Sequence, residues 1–102
     1  MTQATSPATH AISINPATGE QIGAWPWADS AAVDKAIALV HQGYRHWRGV
    51  TLAERADALR RLGAALRNRG EEMAQIMSAE MGKPIAQALG EVNKSAALCD
   101  WY

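Results

Sequence analysis

The stretch that decides the fold is TLAERADALRRLGAALRNRGEEMAQIMSAEMGKP, which runs from Thr51 to Pro84. Its first four residues form a capping box, because the Thr51 hydroxyl and the Glu54 carboxylate can each accept a hydrogen bond from an otherwise unpaired backbone N–H. Apolar residues then recur every three or four positions, as on one face of an α-helix. These positions are Leu52, Ala56, Leu59, Leu62 and Leu66. The segment therefore predicts a helix.

Two glycines divide the rest of this stretch. We expect Gly70 to end the first helix in the left-handed conformation that closes many helices. A second helix follows, and Gly82 is expected to end it. Its apolar stripe is Met73, Ile76 and Met77. Pro84 suits the first turn of a further helix, because the N–H that proline lacks would have no partner there.

Upstream of Thr51, short extended segments separated by turn residues predict a β-hairpin. Ala11–Ile14 is rich in strand formers. In the NPATGE that follows, Pro16 fixes φ and Gly19 is free to take positive φ, which is typical of a turn. Extended character resumes and ends near Pro26, which cannot donate a hydrogen bond to a strand ladder. Residues 1–10 are expected to form a flexible tail.

The segments on either side of the central stretch also have helical spacing. Asp29 or Ser30 can cap the start of the first helix. Its apolar positions are Val33, Ile37, Val40, Tyr44 and Trp47. Those of the last helix are Ile85, Ala88, Leu89, Val92, Ala96 and Cys99. The expected fold is mostly α: an N-terminal β-hairpin followed by about four helices.

The last helical segment, SAALCDWY, is still apolar at Tyr102 and contains no Gly, Asn or Pro to close it. Natural helices can end a chain in this way. We nevertheless expect residues 11–102 to be the front of a longer protein.

The amino-acid composition excludes some classes of function. The chain has 10 Lys and Arg and 10 Asp and Glu, giving a formal net charge of zero, so no basic excess favours nucleic acid or anionic lipid. The single cysteine, Cys99, cannot form an internal disulfide and fits a reducing compartment. No stretch has the length of a membrane span. The expectation is a cytoplasmic protein that binds neither nucleic acid nor membranes.

The Gly82–Lys83 pair suggests a phosphate-binding loop, but its surroundings argue against one. Such a loop needs a glycine five residues before Gly82 and a Ser or Thr after the lysine. Met77 and Pro84 occupy those positions. We therefore expect Gly82 to end one helix, Pro84 to begin the next, and Lys83 to face solvent at the joint between them.

The remaining candidate residues have simpler interpretations. Cys99 shares a helical stripe with Val92 and Ala96, so it is expected to be a small buried hydrophobe rather than a nucleophile. His41 and His46 are five residues apart, which is not a metal-ligand spacing on a helix. The tryptophans of Trp25–Trp27 are expected to anchor the hairpin against a helical layer or a partner subunit. From the residues alone we predict no catalytic, cofactor-binding or metal-binding residue.

Several motifs taken together resemble the aldehyde dehydrogenase superfamily. INPATGEQIG at Ile14–Gly23 is similar to the family's opening strand pair. EMGKP at Glu80–Pro84 and GEVNKSAALCDWY at Gly90–Tyr102 follow in the family's order and spacing. PATHAISINPATGEQ and KSAALCDWY further resemble the bacterial NAD(P)-dependent succinate-semialdehyde dehydrogenase branch.

This resemblance implies an α/β, Rossmann-like enzyme that oxidises an aldehyde through a cysteine thiohemiacetal. Hydride passes to NAD or NADP, and a glutamate base assists hydrolysis of the thioester. In the family the nucleophile, the base and the cofactor loop all lie downstream of the matched region, and Cys99 does not align with the nucleophile. Residues 11–102 would then be the N-terminal part of the cofactor-binding domain. They would pack on the rest of the fold in a homo-oligomeric enzyme.

Some members of the family bind a structural monovalent cation near the first strand. The matching positions here are Ser13, Ile14 and Glu91, although an aspartate is expected where Glu91 stands. By itself, the chain is expected to be inactive and to bind no cofactor. Two other hypotheses remain open at this point: a self-standing helical interaction module, and a truncated reading frame without function.

Overall fold

The structure is a computed structural model that describes residues 9–102. Residues 1–8, which make up most of the predicted tail, lie outside the described residues. The elements are β1 (His10–Ile14), β2 (Gln21–Pro26), α1 (Ser30–Trp47), α2 (Leu52–Asn68), α3 (Gly70–Met81) and α4 (Ile85–Trp101). The prediction of a hairpin followed by four helices is confirmed for the described part of the chain.

Strands β1 and β2 pair antiparallel, with His10 opposite Pro26 and Ser13 opposite Gly23. β1 begins one residue before the predicted start. The backbone pairing extends to Thr9, whose carbonyl accepts a hydrogen bond from the Trp27 N–H at 3.1 Å. Two residues of the predicted tail therefore belong to the hairpin.

Local hydrogen bonds set three of the turns and helix ends that the sequence predicted. Asp29 caps α1 by accepting a hydrogen bond from the Ala32 N–H at 2.7 Å. Thr51 and Glu54 form the reciprocal capping box of α2. Gly82 ends α3 with φ +70° and donates to the Ser78 carbonyl at 2.9 Å.

The prediction that Gly70 ends a helix in the left-handed conformation is wrong. Among the described residues, only Gly19 and Gly82 have positive φ. Arg69, at φ −107° and ψ 17°, makes the joint between α2 and α3, and Gly70 is already the first residue of α3. Gly70 is buried, and a Cβ there would lie 3.7 Å from Val92 Cγ1. The glycine therefore serves close packing against α4.

The core lies where α2 and α3 pack on α4. Its buried residues are small: Ala74, Ala88, Val92 and Ala96, together with Gly63 and Gly70. A Cβ on Gly63 would lie 3.1 Å from Cys99 Cβ and 3.2 Å from the Ala96 carbonyl oxygen. Small residues thus let the helix backbones approach closely. No large side chain is fully buried in the described part of the chain.

The molecule is a thin, open layer. Its extents are 60 × 40 × 15 Å and its radius of gyration is 18.6 Å, whereas a compact domain of this length has about 13 Å. None of the residues of α1, all of which the structure describes, is buried. Across residues 9–102, the helices are too short or too polar to traverse a bilayer.

Candidate functional site

The hairpin meets the helices at the EMGKP motif. We call this contact region the hairpin–helix joint and define it as Ser13, Pro16, Glu80, Gly82, Lys83 and Glu91. The Ser13 hydroxyl donates to Glu80 Oε1 at 3.0 Å, which links β1 to the last turn of α3 across 67 residues of sequence. The joint therefore fixes where the hairpin sits on the helices.

Gly82 contributes to the joint through both its conformation and its lack of a side chain. Its φ of +70° lies in the left-handed region, which strains residues that carry a Cβ. A Cβ at this position would also lie 3.1 Å from Cγ of Pro16, in the hairpin turn. The glycine thus lets the turn approach the end of α3.

Lys83 does not extend into solvent as predicted. Its ammonium group forms an ion pair with the Glu91 carboxylate, and its side chain is only 24% exposed. The Lys83 side chain extends towards α4, because Glu91 lies within that helix, eight residues further along the chain. The ammonium group is thereby engaged within the protein, in keeping with the argument against a phosphate-binding role.

The three positions considered for a monovalent cation do not share a partner. Ser13 bonds Glu80, whereas Glu91 pairs with Lys83. Ile14 follows an irregularity in the pairing of β1 and is 52% exposed. Within residues 9–102, no group of three or more His, Cys, Asp or Glu side chains is arranged to hold a metal ion.

Beside the joint, an apolar gap of about 340 Å³ separates the hairpin from α3. It is lined by Ile22, Trp25, Ile76, Ala79 and Glu80. Trp25 folds back over Gly23, where a Cβ would lie 2.8 Å from the ring carbon Cζ2. The Trp25 side chain is still 53% exposed, so this part of the chain does not cover the ring.

A second, more open cleft of about 750 Å³ lies where α1 turns into α2. Its lining includes Arg45, His46, Trp47, Glu54, Asp57 and Arg61. Glu54 serves the capping box, and Asp57 forms an ion pair with Arg60 at 3.0 Å. The charged groups of the cleft thus have both signs, and both of its carboxylates, Glu54 and Asp57, already have partners.

Cys99 and its neighbours hold α2 against α4. Cys99 is half-buried and faces Gly63. The next residue, Asp100, forms an ion pair with Arg67 of α2. The hydrogen bond from Arg67 lowers the pKa of Asp100, and the positive charges of Arg67 and Arg60 lower it further, against partial desolvation. The pKa of Arg67 is raised, mainly by the same hydrogen bond.

Three ion pairs or hydrogen bonds between described side chains hold separate elements in place. They join Ser13 to Glu80, Arg67 to Asp100 and Lys83 to Glu91. Sequence reasoning missed the first of these contacts, because no periodic pattern connects residues 67 positions apart. Only the EMGKP motif, which was considered as a phosphate-binding loop, drew attention to the region of the hairpin–helix joint.

Comparisons with known proteins give a consistent answer. The sequence profile of the aldehyde dehydrogenase family matches residues 2–102. The chain is 58% identical over 97 residues to the succinate semialdehyde dehydrogenase [NAD(P)+] Sad of Escherichia coli K12, covering 95% of this chain and 21% of that protein. It is 33% identical to a 3-sulfolactaldehyde dehydrogenase of Pseudomonas putida, covering 86% of this chain and 18% of that enzyme.

Solved structures agree with the sequence comparisons. A crystal structure of an NAD-dependent aldehyde dehydrogenase from Sinorhizobium meliloti superposes with a TM-score of 0.84 at 35% identity, over 90% of this chain and 19% of that one. The chain spans about a fifth of the length of the relatives it matches. The family and the fold predicted from the motifs are thereby confirmed. This chain belongs to the aldehyde dehydrogenase family.

Proposed function

We propose that the complete protein oxidises succinate semialdehyde to succinate with NAD+ or NADP+. The observation that carries this proposal is the 58% identity to the E. coli succinate semialdehyde dehydrogenase over 97 residues. In the reaction the aldehyde carbon loses a hydride to the nicotinamide cofactor, and water supplies the second carboxylate oxygen. The nucleophile, the base and the cofactor loop belong to the part of the family fold beyond the matched region.

The names of other relatives support this class of substrate. They include glutarate-semialdehyde dehydrogenases of two Pseudomonas species and the 3-sulfolactaldehyde dehydrogenase. Each of these substrates is a short aldehyde that carries an acidic group. A binding site built to pair with that anion would be left with unpaired polar groups by an aldehyde lacking it.

We assign residues 11–102 to the first part of the cofactor-binding domain, with a positioning rather than a catalytic role. The hairpin–helix joint and the α2–α4 ion pair support this assignment, because both hold elements together and involve no reactive group. We also place the enzyme in the cytoplasm as a homo-oligomer. These 102 residues contain one cysteine, Cys99, and therefore no internal disulfide, which fits that compartment.

The test is a substrate comparison on the complete protein. Succinate semialdehyde should be oxidised with a kcat/KM at least about 100-fold above that of butanal, which has the same chain length and no carboxylate. NAD(P)H absorbance measures both rates. Equal rates would contradict the substrate proposal, and no oxidation of either aldehyde by folded protein would contradict the dehydrogenase proposal itself.

The self-standing interaction module is the second candidate, and the fully exposed α1 favours it. It requires the 102 residues to fold cooperatively into a single species. The enzyme proposal instead requires the rest of the polypeptide to cover the exposed surface. The two proposals therefore differ in whether the isolated 102-residue chain folds cooperatively.

A further inference from the structure

At the hairpin–helix joint, the positive charge beside Glu91 comes from a side chain of the protein itself. The Lys83 ammonium group pairs with the Glu91 carboxylate, and the Lys83 side chain is only 24% exposed. The arginines of the other ion pairs between described residues are 48–65% exposed. Solvent therefore has less access to Lys83 than to those arginines, and it screens the lysine charge less.

The backbone on either side of Lys83 limits where this side chain can lie. Gly82 has the left-handed φ of +70°, and Pro84, which precedes α4, has φ −55° and ψ 135°. A proline ring fixes its own φ and restricts the residue before it to extended conformations. The point from which the Lys83 side chain extends is thus largely fixed, so its pairing with Glu91 costs less conformational entropy.

A metal ion at Glu91 would compete with this ammonium group. Two positive charges at one carboxylate repel each other, most strongly where solvent is partly excluded. The Ser13 hydroxyl donates to Glu80 at 3.0 Å, and this hydrogen bond stabilises the Glu80 carboxylate without a metal ion. The residues that the family resemblance offers for a monovalent cation therefore do not fit one in this chain.

We propose that the Lys83 ammonium group takes the place of a monovalent cation at Glu91. The complete protein is then stable without K+ or Na+. This inference is independent of the proposed substrate, because it concerns only how the hairpin–helix joint is held together.

The experiment compares the melting temperature of the complete protein in potassium chloride, sodium chloride and choline chloride, in a buffer free of other alkali ions. The three salts are used at the same ionic strength of about 0.15 M, so that general screening is equal. Choline carries the same charge, but its methyl groups prevent a carboxylate from coordinating it as it would a metal ion. We expect the three melting temperatures to agree within about 1 °C.

Lys83→Gln then removes the ammonium group and leaves the Glu91 carboxylate free to bind an ion. In choline chloride this variant should melt below the unsubstituted protein, and potassium chloride should raise its melting temperature by at least about 2 °C. Lys94→Gln is the matched control, because it removes an exposed lysine of α4 that lies outside the described ion pairs. It should melt at the same temperature in all three salts.

A higher melting temperature of the unsubstituted protein in potassium or sodium chloride than in choline chloride would overturn the proposal. A folded Lys83→Gln variant that melts alike in all three salts would also overturn it, because Lys83 would then be one partner of an ordinary ion pair. If Lys83→Gln does not fold, the comparison of salts on the unsubstituted protein still decides. Melting requires no turnover, so the result stands whether or not the protein oxidises succinate semialdehyde.

Discussion

Single residues at the hairpin–helix joint attach the hairpin to the helices through close contacts. Gly82 combines a left-handed backbone with a close approach to Pro16. Ser13 reaches Glu80 with one hydrogen bond of 3.0 Å. Because the other contacts between hairpin and helices are few, these residues carry much of the attachment.

The test protein is a full-length chimera in which these 102 residues replace the matching segment of the E. coli relative. Gly82→Ala should destabilise this chimera by about 1–2 kcal/mol, because an L-residue with φ near +70° is strained. The methyl group would also press on Pro16. Gly90→Ala is the matched control, since it lies within α4 with no atom near its Cβ position, and alanine is the better helix former there. Thermal unfolding measures both variants. A Gly82→Ala variant as stable as Gly90→Ala would show that the joint adapts without cost.

The sequence predicted local features of the joint and missed its long-range contacts. Gly82 could be assigned because a glycine after a helical stripe and before Pro84 has a short-range signature. The partners of Ser13 and Lys83 depend on how α3, α4 and the hairpin are arranged. Gly70 shows the limit of local reasoning, because a glycine at this position could either end α2 or allow close helix packing. Only its nearness to Val92 in the folded chain shows that it allows packing.

At the scale of elements, α4 is the centre of the described structure. Small residues let α2 and α3 approach it, and the Arg67–Asp100 ion pair fastens its last turn to α2. Periodicity alone predicted the centre of the α4 stripe, since Ala88, Val92 and Ala96 are buried. At its ends the prediction was wrong, because Ile85 is 48% exposed and Cys99 is only half-buried. The equally regular stripe of α1 is exposed. An apolar stripe thus predicts that a helix face will be buried, but it does not identify the surface that covers the face.

The Arg67–Asp100 pair should make stability depend on pH. The pKa of Asp100 is lowered in the folded protein, so its contribution to stability is present above the ordinary carboxyl pKa and is lost as the pH falls through the folded value. Asp100→Asn removes this contribution. The variant should therefore have a melting temperature that falls less between about pH 6 and pH 3 than that of the unsubstituted chimera.

Asp34→Asn serves as the comparison, because this carboxylate of α1 lies outside the described ion pairs. This variant tests whether loss of any surface carboxylate makes the melting temperature less dependent on pH. Identical pH profiles for Asp100→Asn and the unsubstituted chimera would mean that solvent screens the pair completely.

At the scale of the whole molecule, the exposed surface exceeds what a compact monomer shows. The accessible area is 8476 Å² for a chain of 11.0 kDa, against about 5600 Å² for a folded monomer of that mass. Trp25, Trp27 and Trp101 are each more than half exposed. Large aromatic side chains usually need a core or an interface to cover them. A sequence pattern does not reveal which part of the protein provides that cover.

The isolated 102-residue chain should therefore bind a fluorescent dye specific for apolar surfaces and melt over a broad temperature range. The variant Ile37→Lys, in the exposed apolar stripe of α1, should bind less dye than Lys35→Gln, which alters the polar side of the same helix. A sharp melt, a single species in size-exclusion chromatography and no dye binding would instead favour the self-standing interaction module.

The bond between Ser13 and Glu80 also has a consequence for the order of events during translation. The hairpin can form as soon as β2 is complete at Pro26, but its attachment waits for Glu80, which is 67 positions after Ser13. At usual elongation rates of about 5–20 residues per second, Glu80 follows the end of β2 by roughly 3–11 s. During that interval α1 emerges with its apolar stripe bare. The nascent chain therefore exposes this apolar stripe before the hairpin is fixed to the helices, a state that favours aggregation.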